Sequence, residues 1–103
     1  MYQRIAHIAL VVDNYDDAID FYRNMLDFVL VEDTQLGEKR WVMMSPPGAK
    51  ECSLVLVRAE GKAQASRIGD QTGGRVFLFL FTDNFQRDYD NYTSRGGEIC
   101  TLP

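Results

Sequence analysis

Apolar and polar residues alternate along this chain in a way that predicts one strand, one helix and then three further strands. Arg4 to Val12 opens with strand chemistry: Ile5, His7, Ala9 and Val11 fall on one face, and Ala6, Ile8, Leu10 and Val12 on the other. Both faces are apolar, so both need cover. Asp13-Asn14 then supplies a helix cap, and Tyr15, Ala18, Ile19, Tyr22 and Leu26 recur at helical spacing. Asp16, Asp17 and Asp20 occupy the early turns, where the helix dipole favours negative charge. Their spacing suits capping better than calcium ligation. Asp27 closes the helix, because aspartate tolerates the left-handed conformation better than most residues.

Three strand-like runs follow, Phe28 to Asp33, Arg40 to Met44 and Cys52 to Val57. Turn chemistry at Gln35-Leu36-Gly37 and Pro46-Pro47-Gly48 separates them. Arg58 to Gly74 is polar and glycine-bearing, and reads as a linker with room for one helical turn. Arg75 to Thr82 is the strongest strand signal in the chain, again apolar on both faces. Asp83-Asn84 caps a second helix with a core face of Phe85, Tyr89 and Tyr92, which Gly96-Gly97 stops. Glu98 to Leu102 begins a further strand.

Laying the second half over the first at an offset of 70 residues exposes a repeat. Leu10 meets Leu80, Asp13 meets Asp83, Asn14 meets Asn84, Asp20 meets Asp90 and Tyr22 meets Tyr92, while Tyr15 falls on Phe85. Strand, cap, helix and core face keep the same phase in both halves. The expected organisation is a single domain of two βαβββ units: residues 1–57, a linker over 58–74, and an incomplete second unit over 75–103. That second unit stops two strands short of the first and leaves a sheet edge to be covered. Either the sequence is a shortened one, or a partner chain supplies the cover by strand exchange.

The chain has 103 residues, 46% of them hydrophobic and 25% charged, which suits one folded domain and excludes wholesale disorder. Fifteen acids against eleven bases give a formal charge of −4, and no basic cluster exceeds the pair Lys39-Arg40. A nucleic-acid binder needs a basic face, so that role is set aside. The longest apolar run, Val76 to Phe81, is too short for a bilayer span. No signal-like segment opens the chain, so a cytoplasmic location is expected. Cys52 and Cys100 lack a CxxC or Cys/His pairing and read as two thiols, not as a disulfide or zinc site.

A duplicated βαβββ unit carrying His7-Ile8-Ala9-Leu10-Val11-Val12-Asp13 and then Phe21-Tyr22-Arg23-Asn24-Met25-Leu26-Asp27-Phe28 resembles the vicinal oxygen chelate superfamily. That group holds glyoxalases, epimerases, extradiol dioxygenases and metal-free bleomycin-binding proteins. The resemblance covers nearly all of the chain, with Asp27 where the family usually has glycine. It implies an α+β fold in which paired βαβββ modules form a curved mixed sheet around a cavity, with helices behind. A ferredoxin-like α+β sandwich is the alternative. On the family's template His7, Ala9 and Val11 line the cavity from the first strand, and by parity Arg75, Phe77, Phe79 and Phe81 line it from the fifth. Glu51, Ser53, Val55 and Val57 line it from the fourth.

Catalytic members of that family chelate a divalent cation with ligands on four strands, so that open positions receive the substrate. His7 stands at the first position, but the resemblance puts Val55 and Phe77 at the next two, and neither side chain ligates a metal. A lone histidine in an apolar strand also reads as a hydrogen-bonded cavity or core residue. Phe77, Phe79, Phe81 and Trp41 read as core packing or as a stacking surface for a flat ligand. Arg75 and Glu51 read as surface charges or as polar groups at the cavity rim.

The expected function is therefore a glyoxalase/bleomycin-resistance-like protein that binds a small, largely apolar molecule. The expected ligand-binding residues are His7, Ala9, Val11, Glu51, Ser53, Val55, Arg75, Phe77 and Phe79, with no cofactor and a homodimer as the working form. Two alternatives stay open. One is a metal-dependent enzyme of the glyoxalase, epimerase or dioxygenase kind that uses His7 as one ligand. The other is an interaction module whose cavity is filled by its own side chains.

Overall fold

Strand β1 (His7–Val12) leads into helix α1 (Tyr15–Leu26), and three strands follow in sequence, β2 (Val29–Leu36), β3 (Lys39–Ser45) and β4 (Ser53–Arg58). The short helix α2 (Gly61–Ala65) and the helix α3 (Phe85–Ser94) complete the elements of this computed structural model, which describes residues 1–95. The strand expected at 98–102, the glycine stop at 96–97 and Cys100 lie outside the described residues.

Local chemistry sets the first unit. The Asn14 side chain accepts the Asp17 N–H at 2.8 Å, and Asp27 closes α1 at φ 58° in the left-handed region. The Phe28 N–H then donates back to the Tyr22 carbonyl at 3.0 Å, satisfying a carbonyl of the last helical turn. Gly37 and Gly48 take φ of 63° and 77° in the two turns between strands, where a side chain would strain the backbone.

The sheet runs in the order β1-β4-β3-β2, with β1 parallel to β4 and the other neighbours antiparallel. Three consecutive strands after one helix, with the first strand returned beside the last, make a βαβββ unit. The ferredoxin-like alternative has a different order and is excluded. The fold is α+β with a four-stranded curved sheet.

The main core cluster lies on the face turned toward α1. Leu10 and Val12 from β1, Val42 and Met44 from β3, and Leu54 and Leu56 from β4 are buried together with Ile19 and Phe28. Tyr15, Ala18, Tyr22 and Leu26 of α1 pack against them at the spacing expected from the sequence. Arg40 ties this face together. It makes a bidentate bond to Asp33 at 2.8 and 2.7 Å, reaches Asp16 of α1 at 3.0 Å, and lies 5.5 Å from the Tyr15 ring. A bulge at Val31 makes this possible. Leu30 pairs with Met44 and Glu32 with Met43, so one extra residue turns Asp33, and not Glu32, toward α1.

The second half departs from expectation. Asn84 caps α3 as Asn14 caps α1, its side chain accepting the Arg87 N–H at 3.0 Å. The repeat thus holds in the cap. It does not hold in the strand: residues 75–82 form no ladder, and Leu80 is 46% exposed where its counterpart Leu10 is 5%. Phe85 and Tyr89, expected on a core face, are also exposed. A β-prone segment becomes a strand only when a neighbour accepts its backbone, and among the described residues none does.

Candidate functional site

Alternation places a second set of side chains on the sheet face turned away from α1. The register sets His7 beside Ser53, Ala9 beside Val55 and Val11 beside Val57, with Met43 opposite Val55 on the other side. Trp41, Met43 and Ser45 alternate with the buried Val42 and Met44, so they share this open face. The Trp41 indole crosses Met43, its Nε1 donating to Sδ at 3.0 Å, and meets the His7 imidazole edge-on at 6.0 Å. Ser45 and Ser53 join hydroxyl to hydroxyl at 2.9 Å. His7 and Ala9 are exposed, whereas Val55 is buried at 8% among its neighbours. Helix α1 packs on the opposite face of the sheet.

The nine expected site residues separate into three places. His7, Ala9, Val11, Ser53 and Val55 share the open face, as strand parity implies. Arg75 and Phe77 do not. They border a cavity of about 630 Å³ on the α1 side of β1, which Val11 flanks at the sheet edge, and Phe77 packs against the core. Glu51 and Phe79 lie in a second hollow of about 520 Å³, beside the Pro46–Cys52 turn. The strand pattern of 75–82 fails because parity has meaning only inside a ladder. Glu51 is misplaced because the turn runs longer than its Pro-Pro-Gly core, so β4 begins at Ser53 and the Glu51 side chain accepts the Lys50 N–H at 3.1 Å. Trp41 and Met43 were absent from the expected set. Their signal was available in the alternation Trp41-Val42-Met43-Met44, once a register fixed which face was which.

The donors for a chelated cation are not assembled on this face. His7 is surrounded there by Ala9, Trp41 and Ser53, and the carboxylate of the same face, Glu32, stands three strands away, about 14 Å by strand spacing. Among the described residues no three His, Cys, Asp or Glu side chains converge. The described arrangement does not fit the metal that catalytic members of the resembled family hold. Its chemistry is that of a surface for stacking and apolar contact, with the His7 imidazole and the Ser53 hydroxyl as polar handles and Ser45 buried behind Ser53. None of the described helices is long and apolar enough to cross a membrane.

Comparison with known proteins agrees with this geometry. A protein of Shewanella frigidimarina (strain NCIMB 400), itself uncharacterized, is 60% identical over all of this chain and 78% of its own length. The crystal structure of TnmS3, an antibiotic binding protein from Streptomyces sp. CB03234, superposes with a TM-score of 0.70 at 27% identity, over 92% of this chain and 72% of that one. A superfamily member from Sphaerobacter thermophilus DSM 20745 superposes with a TM-score of 0.68 at 30% identity, over 92% and 73%. Residues 4–103 match the profile described as Glyoxalase/Bleomycin resistance protein/Dioxygenase superfamily. With the βαβββ unit, the strand histidine and that match over nearly its whole length, the chain belongs to the glyoxalase/bleomycin resistance/dioxygenase superfamily.

Proposed function

We propose that this chain binds small molecules in the manner of the bleomycin-resistance branch, holding a flat, largely apolar molecule against the open face of the sheet without a metal ion. The observation that carries the reading is the composition of that face. Ala9, Val55, Met43 and the Trp41 indole form an apolar floor, and His7 and Ser53 flank it with hydrogen-bonding groups. The antibiotic-binding description of TnmS3, a relative of similar fold, supports it. The protein works as a homodimer, a reading supported by the exposure of Phe79, Phe81 and Phe85 at 86%, 94% and 56%. Its free, half-buried Cys52 suits the reducing cytoplasm.

Trp41 is the chain's single tryptophan, so its fluorescence reports on this face directly. Titration with bleomycin and a panel of planar aromatic antibiotics in the presence of EDTA is expected to give saturable quenching with at least one of them. Calorimetry should show that Trp41→Ala and Ala9→Glu each weaken that binding at least tenfold. Binding that requires added Zn²⁺ or Mn²⁺ and disappears in His7→Ala would support the enzyme alternative instead. Binding untouched by both open-face substitutions would place the ligand elsewhere and end the proposal.

A further inference from the structure

The cavity of about 630 Å³ behind β1 lies on the opposite side of the sheet from Trp41 and Met43, and its volume is that of a small-molecule site. Its walls are held in place. On one side stands α1, with Phe21 and Tyr22 in the lining. On the other runs a strap, residues 66–75, shaped by its own turn bonds. In it the Asp70 N–H donates to the Arg67 carbonyl at 2.9 Å and the Gly73 N–H to the Asp70 carbonyl at 3.1 Å. The Gln71 carboxamide pins the strap to the end of β1, accepting the Val11 N–H at 3.2 Å and donating to the Val11 carbonyl at 2.7 Å. Leu10, Phe77 and Leu78 give the cavity an apolar floor that is continuous with the core.

The lining combines an aromatic corner with negative charge. The Phe21 and Tyr22 rings meet at 90° with their centroids 5.2 Å apart, and Phe21 is about half exposed. An aromatic face attracts a cation through its quadrupole, and two rings at right angles offer two such surfaces, the principle by which methylated ammonium groups are held in aromatic cages. Three exposed carboxylates border the same cavity, Asp13 and Asp17 at the head of α1 and Asp70 on the strap. They outnumber Arg75, the one base among the described lining residues. None of the three joins an ion pair among the described residues. Asn14 caps the Asp17 N–H and donates to the Asp17 carboxylate at 2.7 Å, and neither bond supplies a counter-charge. Three carboxylates against one guanidinium favour a cationic guest and disfavour an anion.

We propose that this cavity binds a small organic cation, a quaternary or methylated ammonium group seated against Phe21 and Tyr22 within the ring of Asp13, Asp17 and Asp70. The apolar body of the same molecule lies over Phe77 and Leu78. A primary ammonium is strongly hydrated and loses more on leaving water, so methylation suits this corner. The site does not depend on the open face, because the sheet stands between them: Leu10 and Val12 point toward the cavity, and Ala9 and Trp41 point away.

Calorimetry on the full chain at low ionic strength tests this with three probes that share one ring system: naphthylmethyl-trimethylammonium, naphthalenemethanol and naphthoate. The cation should bind once per chain and about tenfold tighter than the alcohol, with the carboxylate weakest. Phe21→Leu keeps the apolar bulk and removes the ring, so it should weaken the cation about fivefold and leave the alcohol within about twofold. The surface pair Asp13→Asn/Asp70→Asn should bring the cation and the alcohol to similar affinities. Amide resonances of Phe21, Tyr22, Asp70 and Phe77 should move on adding the cation while those of His7 and Ala9 stay in place, and Trp41→Ala should leave its affinity within about twofold. A cation that binds no tighter than the alcohol overturns the proposal. So does one whose binding survives both Phe21→Leu and the aspartate pair unchanged, or one that moves the open-face resonances and is lost in Trp41→Ala. None of these outcomes bears on whether the open face holds a ligand of its own, which the Trp41 titration decides.

Discussion

Asp33 and Arg40 illustrate how one pair of residues ties three elements together. The Arg40 guanidinium donates to both Asp33 oxygens and holds that carboxyl below the usual aspartate range, while the two carboxylates around Arg40 push its own pKa up. Because the folded value of Asp33 is lowered, its contribution to stability is fully present above the unfolded aspartate value. It is lost as pH falls through the lowered one. Both side chains are partly exposed, so solvent screening keeps the effect small. Asp33→Asn is expected to cost about 0.5–1 kcal/mol at neutral pH. Urea denaturation should show that deficit shrinking in acid, where the wild type has lost the same charge.

At the scale of the element, caps decide where helices begin. Asn14 holds α1, whose inner face closes the core, so Asn14→Ala should lower global stability by about 1 kcal/mol. Asn84 makes the same bond at the head of α3, but α3 buries none of its residues. Asn84→Ala should therefore speed amide exchange within α3 and leave the global unfolding midpoint nearly unchanged, a contrast that hydrogen exchange resolves residue by residue. These elements were legible in the sequence because their signals are local. Asn14, Asp27 and the spacing of Tyr15, Ala18, Ile19 and Tyr22 act within a turn or two of themselves. The segment 75–82 was misread for the opposite reason. Its apolar character is real, but a strand exists only with a neighbour, and whether that neighbour is present is a long-range fact that no local pattern carries. The bulge at Val31 escaped notice likewise, since it is a property of the β2–β3 pair and not of β2. For the candidate site, parity along β1 and β4 was enough to group His7, Ala9, Ser53 and Val55. Trp41 and Met43 needed the register.

The molecule as a whole assigns its two sheet faces different tasks. Met44 points into the core with no exposed surface, and Met43, one residue earlier, lies on the open face beneath Trp41. Met44→Ala is expected to cost about 2–5 kcal/mol of stability through the cavity it leaves. In any variant that remains folded, ligand binding should persist. Met43→Ala should do the reverse, leaving the thermal midpoint within a few degrees of wild type while reducing the quenching of Trp41 by ligand. Paired melting and titration experiments on the two variants check this division.

A sheet whose stability resides behind it has a front that is free to vary. Substitutions at Ala9, Trp41, Met43 or Ser53 meet little resistance from the fold, because Leu10, Val42, Met44 and Leu54 carry the packing at the alternate positions. Drift along the open-face residues can remodel that surface while the scaffold stays intact, so a sheet built on this plan can diversify in what its front presents faster than in how it folds.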